Sequence, residues 1–127
     1  MATTWTRDEL SRIADAEELE LASQRGDGSM SRPTTMWVVR DGDHLYVRSI
    51  HGRDGIWFRG TQANHKGHID AGGVSKDVKF GDASRDSGLN QRIDAAYQQK
   101  YRRFGDDIVG TVIGDEARTS TIKLEPR

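Results

Sequence analysis

At 127 residues with no cysteine, the chain has room for one domain (1–127) and for no disulfide, thiolate metal site or cysteine nucleophile. Nineteen basic residues against twenty acidic ones leave a net charge of −1, which argues against bulk nucleic-acid or membrane binding. No apolar run is long enough to span a bilayer and the N-terminal MATTWTRDEL is unlike a signal peptide, so a soluble protein of a reducing cytoplasm is expected.

Thr6-Arg7-Asp8-Glu9 has the spacing of a capping box, with Trp5 and Leu10 at the hydrophobic-staple positions. Leu10, Ile13 and Ala14 extend one apolar stripe, which predicts a helix over 7–15. Glu18 to Ser23 alternates polar and apolar residues, the period of a half-buried strand. Gly26-Asp27-Gly28-Ser29 marks a turn, and Pro33 suits a position just before a strand.

The segments 34–40 and 44–50 flank Asp41-Gly42, a favoured two-residue hairpin turn. With that turn, Val39 faces His44, Trp37 faces Tyr46 and Thr35 faces Arg48. Directly opposed residues share a sheet face. Met36, Val38, Leu45, Val47 and Ser49 then form a core face, and Thr35, Trp37, Val39, His44, Tyr46 and Arg48 form a mixed aromatic and polar one.

His51 to Gly55 reads as a loop and 56–64 as a helix, with Asp54 near its N-cap. Residues 68–71 and 74–80 read as strands separated by Gly72-Gly73, a bulge or tight turn. Ile93, Ala96, Tyr97, Tyr101 and Phe104 recur at helical spacing, which predicts a helix over 90–104 closed by Gly105. Asp107 to Gly110 leads to a last strand over 119–124. About six strands and three helices, with hairpin-type turns, predict an α+β fold: a small antiparallel barrel with peripheral helices.

The chemistry concentrates between Thr34 and Asn64. Arg48, Ser49, His51, Gly52 and Arg53 have the composition of an anion site: guanidiniums offer paired charged hydrogen bonds, and glycine lets backbone N–H groups approach. The same residues also suit a solvated basic loop. Trp37, Tyr46 and Trp57 could stack on a flat ring, or pack in a core or dimer interface. His51 can accept or donate a proton near neutral pH. His65-x-x-His68 has loose metal-ligand spacing without a carboxylate to complete it, so a structural role is preferred and no metal is expected. Tyr97-x-x-Lys100 lacks the spacing and the glycine fingerprint of a dinucleotide-dependent Tyr–Lys pair, and Tyr97 and Tyr101 suit packing on one helix face.

The runs MWVV, LYVRS, GIWFRG, GHIDAGG, DAAYQQKY and TSTIKLEP, in that order, resemble a bacterial family classed as a domain of unknown function. That family lies in or close to the flavin-binding split-barrel group, with the pyridoxamine-phosphate-oxidase-like proteins and the deazaflavin-dependent nitroreductases. The resemblance implies a six-stranded split barrel, usually dimeric, with FMN or a deazaflavin in a groove. It implies that Arg48, Ser49, Gly52 and Arg53 hold the cofactor phosphate. Thr35, Met36, Trp37 and Trp57 would lie along the ring, with His51 and Tyr46 near the reacting centre. The function implied is an oxidoreductase acting on a small organic substrate. Two other readings stay open: an enzyme without a cofactor that uses the same groove for acid–base or electrostatic work, and a non-catalytic small-ligand binding module.

Overall fold

The capping box forms. In the computed structural model, which describes residues 4–127, Thr6 Oγ1 accepts from the Glu9 N–H at 3.1 Å and Glu9 Oε1 accepts from the Thr6 N–H at 2.9 Å. These bonds satisfy donors that the first turn of α1 (Arg7–Asp15) cannot pair within the helix. Trp5 and Leu10 are buried in one core, and Trp5 Nε1 donates to the Leu124 carbonyl at 2.9 Å.

The strands are β1 (Leu19–Ser23), β2 (Thr34–Met36), β3 (Val39–Asp41), β4 (His44–Val47), β5 (Lys66–Ala71), β6 (Val74–Asp82) and β7 (Ile122–Pro126). They form one antiparallel sheet in the order β2-β1-β5-β6-β7-β4-β3. The strand expected over 34–40 breaks at Trp37-Val38: its first half pairs with β1 and its second with β4. This makes seven strands among the described residues instead of six. It also places consecutive pieces of one segment at opposite edges of the sheet, so the sheet curls until those edges meet at Trp37-Val38.

The hairpin turns one residue later than expected. Asp41 pairs with His44 and Val39 with Tyr46, leaving Gly42-Asp43 as the loop. Gly42 has φ +62° and Asp43 does not have positive φ, the type II′ pattern with glycine at the first central position. The expected pairs Trp37–Tyr46 and Thr35–Arg48 do not form, and Thr35 pairs with Glu20 instead. Because the register slides by an even number of residues, each side chain keeps its face. Met36, Val38, Leu45 and Val47 lie in the core inside the curl, while Val39 and Tyr46 lie in a second core outside it.

Among the described residues five α-helices surround the sheet where three were expected: α1, α2 (Ile56–Asn64), α3 (Ser87–Tyr101), α4 (Asp106–Ile113) and α5 (Asp115–Arg118). Leu10 and Ile13 of α1 and Phe58 of α2 close the inner core. Leu89, Ile93, Tyr97 and Tyr101 of α3 and Val109 and Val112 of α4 cover Val39 and Tyr46. The N-cap of α2 is Gly55, not Asp54, and α3 starts earlier than expected because Asp86 Oδ1 accepts from the Leu89 N–H at 3.0 Å. The segment leading to the last strand is α4 and α5. Its Ile and Val residues favour strands in isolation, but Asp106 and Asp107 complement the helix N-terminus, and burial of Val109 and Val112 one turn apart decides the outcome. Among the described residues no helix is long and apolar enough to cross a membrane.

Where the sheet edges meet, α3 supplies the missing hydrogen bonds. The Val38 N–H donates to the Tyr101 hydroxyl at 3.1 Å, and Lys100 Nζ donates to the Val38 carbonyl at 2.7 Å. The Tyr101 hydroxyl donates to the Glu17 carbonyl at 2.7 Å. Burial pushes the Lys100 amine down to about 8 and the Tyr101 phenol up to about 12. Between pH of about 8 and 10 the unfolded chain therefore carries a proton on Lys100 that the native chain has lost, so stability rises with pH there. Above about pH 10 the unfolded chain loses the Tyr101 proton that the native chain keeps, and stability falls. Urea midpoints measured from pH 7 to 11.5 are expected to pass through a maximum near pH 10, and Lys100→Met to flatten its rising limb.

Candidate functional site

Five pieces of chain converge on a cavity of about 410 Å³: the residue before β1, the edge strand β2 with the joint that follows it, the segment after β4, the start of α2, and α4. Thr34, Thr35 and Met36 line it from β2. Continuing the β1–β2 register past Leu19–Met36 sets Glu18 opposite Trp37, and both line the cavity. Trp37 is stacked on Tyr101 with ring centroids 4.0 Å apart and planes 5° apart, so the ring is held from behind. Trp57, half-buried at the start of α2, lines another part of the wall. Ile50 and Ile108, each 51% exposed, line it too, with Thr111 and Val112 of α4.

Of the residues singled out in the sequence, the cavity brings together Thr35, Met36, Trp37, Arg48, His51 and Trp57. His51 is exposed, and its backbone N–H donates to Ser49 Oγ at 3.2 Å. Four others are not in its lining. Tyr46 is 3% exposed and sits in the outer core. Ser49 is a buried strut whose N–H donates to Ser120 Oγ at 2.8 Å. Gly52 has φ +59° and lies against α5: a Cβ there would come within 2.6 Å of Glu116 Cγ. Arg53 donates from Nη1 to the Thr119 carbonyl at 2.9 Å and lies 3.8 Å from Asp82. These contacts pack the loop against α5 and the turn after it.

Arg48 departs furthest from expectation. Its side chain is fully buried, and all five N–H donors of the guanidinium are engaged. Nε donates to Thr121 Oγ1 at 2.9 Å. Nη1 donates to Asp94 Oδ1 at 2.5 Å and to the Val112 carbonyl at 2.8 Å. Nη2 donates to Asn90 Oδ1 at 2.8 Å and to the Asn90 carbonyl at 3.2 Å. Arg118 Nε, at 2.9 Å, binds the other Asp94 oxygen. Arg48 thus ties the end of β4 to α3, α4 and the turn before β7. Turning it toward a phosphate would leave Asp94 to Arg118 alone and the Thr121, Val112 and Asn90 acceptors without this donor. Breaking a buried pair costs about 3–5 kcal/mol, against roughly 1.5–3 kcal/mol returned by a charged hydrogen bond.

The sequence held one sign of this network. Asn90 and Asp94 are four apart on the helix face that also carries Ile93 and Tyr97, and polar residues there need a buried partner. Glu18, Ile108, Thr111 and Val112 carried no signal as site residues, and Thr34 and Ile50 stood out only as members of the stretch 34–64. His68 lies on the β5–β6 hairpin, with Nδ1 2.8 Å from Asp77 Oδ1 and Nε2 2.7 Å from Ser75 Oγ, which bridges the two strands.

A curled antiparallel sheet whose edges meet at one joint, helices outside it and a groove beside the joint define the split-barrel class. Solved structures agree. HutZ, the heme storage protein of Vibrio cholerae, superposes with a TM-score of 0.64 at 18% identity, over 100% of this chain and 92% of that one. An FAD-binding protein of Mesorhizobium loti superposes with a TM-score of 0.54 at 13% identity, over 97% and 89%. Within this class, the chain belongs to the bacterial family described as "uncharacterized protein conserved in bacteria (DUF2255)", which matches residues 9–124. A search of curated proteins finds no match to the chain.

Proposed function

We propose that the cavity holds a planar redox ring of the flavin or deazaflavin class, and that the protein is an oxidoreductase acting on a small organic substrate. The observation that carries this reading is the cavity wall: two tryptophans line a space of about 410 Å³, and one of them is held from behind by Tyr101. That volume suits a drug-sized ligand. The split-barrel fold, shared with an FAD-binding protein, supports the same reading.

A ring of this class, when bound, supplies hydride transfer. The chain's own residues do the rest. Trp37 and Trp57 contact the ring, and the Thr35 hydroxyl offers a hydrogen bond to its polar edge. The Thr111 hydroxyl, which donates to the Ile108 carbonyl at 2.6 Å, accepts one. Ile50 and Ile108 exclude water from it. His51, exposed at the cavity wall, donates or accepts the proton that accompanies turnover of the substrate. In this reading two copies of the chain pair over Ile50 and Ile108 of the lining and over Ile56, the neighbour of Trp57, which is 88% exposed. Ile56→Lys is expected to shift a dimer to a monomer in sedimentation equilibrium.

Titration of the purified protein with riboflavin, FMN and 5-deazariboflavin, followed by visible difference spectra, tests the ring site. At least one is expected to bind in the micromolar range, and Trp37→Ala to weaken it at least tenfold, about 1.4 kcal/mol. Absence of binding by all three at high micromolar concentration would remove the proposal.

A further inference from the structure

We infer that the cavity selects planar rings that are uncharged or cationic, and disfavours the phosphate-bearing forms of the same rings. This rests on the ring-binding reading above and adds to it the chemical class of the ligand.

The charges of the lining carry the inference. Among the described residues Arg48 is the only arginine or lysine of the lining, and its five donors are already held by Asp94, Val112, Asn90 and Thr121. Its charge and that of Arg118, which binds the same carboxylate, are matched by Asp94 and Asp115 together. Arg48 therefore presents neither a donor nor an unbalanced charge to a ligand. The next cation along the loop, Arg53, is outside the lining and turned to the Thr119 carbonyl and Asp82.

Against this, the lining holds one carboxylate with no ion pair and no hydrogen bond among the described residues. Glu18 is exposed, and the register sets it opposite Trp37. A carboxylate beside an aromatic face favours a cation twice, through its own charge and through the negative face of the ring. It repels a phosphate dianion. The other polar side chains of the lining are the hydroxyls of Thr34, Thr35 and Thr111 and the His51 imidazole. Hydroxyls suit the carbonyl and amino edges of a neutral heterocycle, and His51 adds positive charge only when protonated. A phosphate tail would meet no fixed cation in this wall.

The test compares three flat three-ring probes by quenching of tryptophan fluorescence at low ionic strength: lumiflavin (uncharged), FMN (the same ring with a phosphate) and proflavine (cationic). Lumiflavin is expected to bind at least tenfold more tightly than FMN, and proflavine at least as tightly as lumiflavin. Glu18→Gln, at an exposed position, should weaken proflavine binding about three- to tenfold, leave lumiflavin unchanged and strengthen FMN. FMN binding as tightly as lumiflavin, or more so, would overturn the charge selection and leave the ring site standing. Equal losses for proflavine and lumiflavin in Glu18→Gln would also overturn it. Failure of all three probes to bind would overturn the ring site and this inference together.

Discussion

Arg48→Met is expected to lower stability by about 3–5 kcal/mol, the cost of removing one partner from a buried ion pair. In a chain of this size that corresponds to a fall in melting temperature of about 10–20 °C, measurable by circular dichroism. Three elements lose their shared partner together: α3 through Asn90 and Asp94, α4 through the Val112 carbonyl, and the turn before β7 through Thr121. Arg48→Lys should recover only part of the loss, because an ammonium is a compact charge that cannot meet a planar fan of five acceptor contacts. A melting temperature within about 2 °C of the parent in Arg48→Met would mean that the side chain is free for a ligand after all.

The second large effect belongs to Tyr101. Tyr101→Ala should cost about 3–5 kcal/mol, as for other large aromatic truncations in a core. It removes the ring behind Trp37 and the hydroxyl that serves the Val38 N–H and the Glu17 carbonyl. Tyr101→Phe keeps the stack and loses only the hydroxyl, so about 1–3 kcal/mol is expected from the unpaired groups. Urea unfolding gives both values. Tryptophan emission separates the two causes: it should shift to the red in Tyr101→Ala, where Trp37 is released, and stay in place in Tyr101→Phe.

Local chemistry was readable from the sequence and distant partners were not. The capping box at Thr6 and the bounds of α2 depend on a few adjacent residues, and both formed as expected. The two faces of the β3–β4 hairpin were assigned correctly although its register was not, because a slip of two positions preserves parity. The break at Trp37-Val38 left no mark, since extended residues on either side look alike whichever strand they join. Arg48 follows Val47 and precedes a glycine-containing loop, which suggests an anion site; the groups that occupy it come from α3, α4 and the turn before β7. The α4 wall of the cavity was missed altogether, because its valines and isoleucines favour helix only once packed against α3.

The place of β7 bears on how the chain reaches this structure. It follows every other strand in sequence yet lies between β6 and β4, bonded to both. Without it the ladder falls into two separate ribbons, β2-β1-β5-β6 and β4-β3, and the Trp5–Leu124 bond has no acceptor. Closure of the sheet therefore waits for contacts between residues far apart in sequence, the property that slows folding. During synthesis the earlier ribbons emerge with open edges, so the interval before Ile122–Pro126 arrives is when a nascent chain of this kind is most exposed to aggregation and most in need of a chaperone.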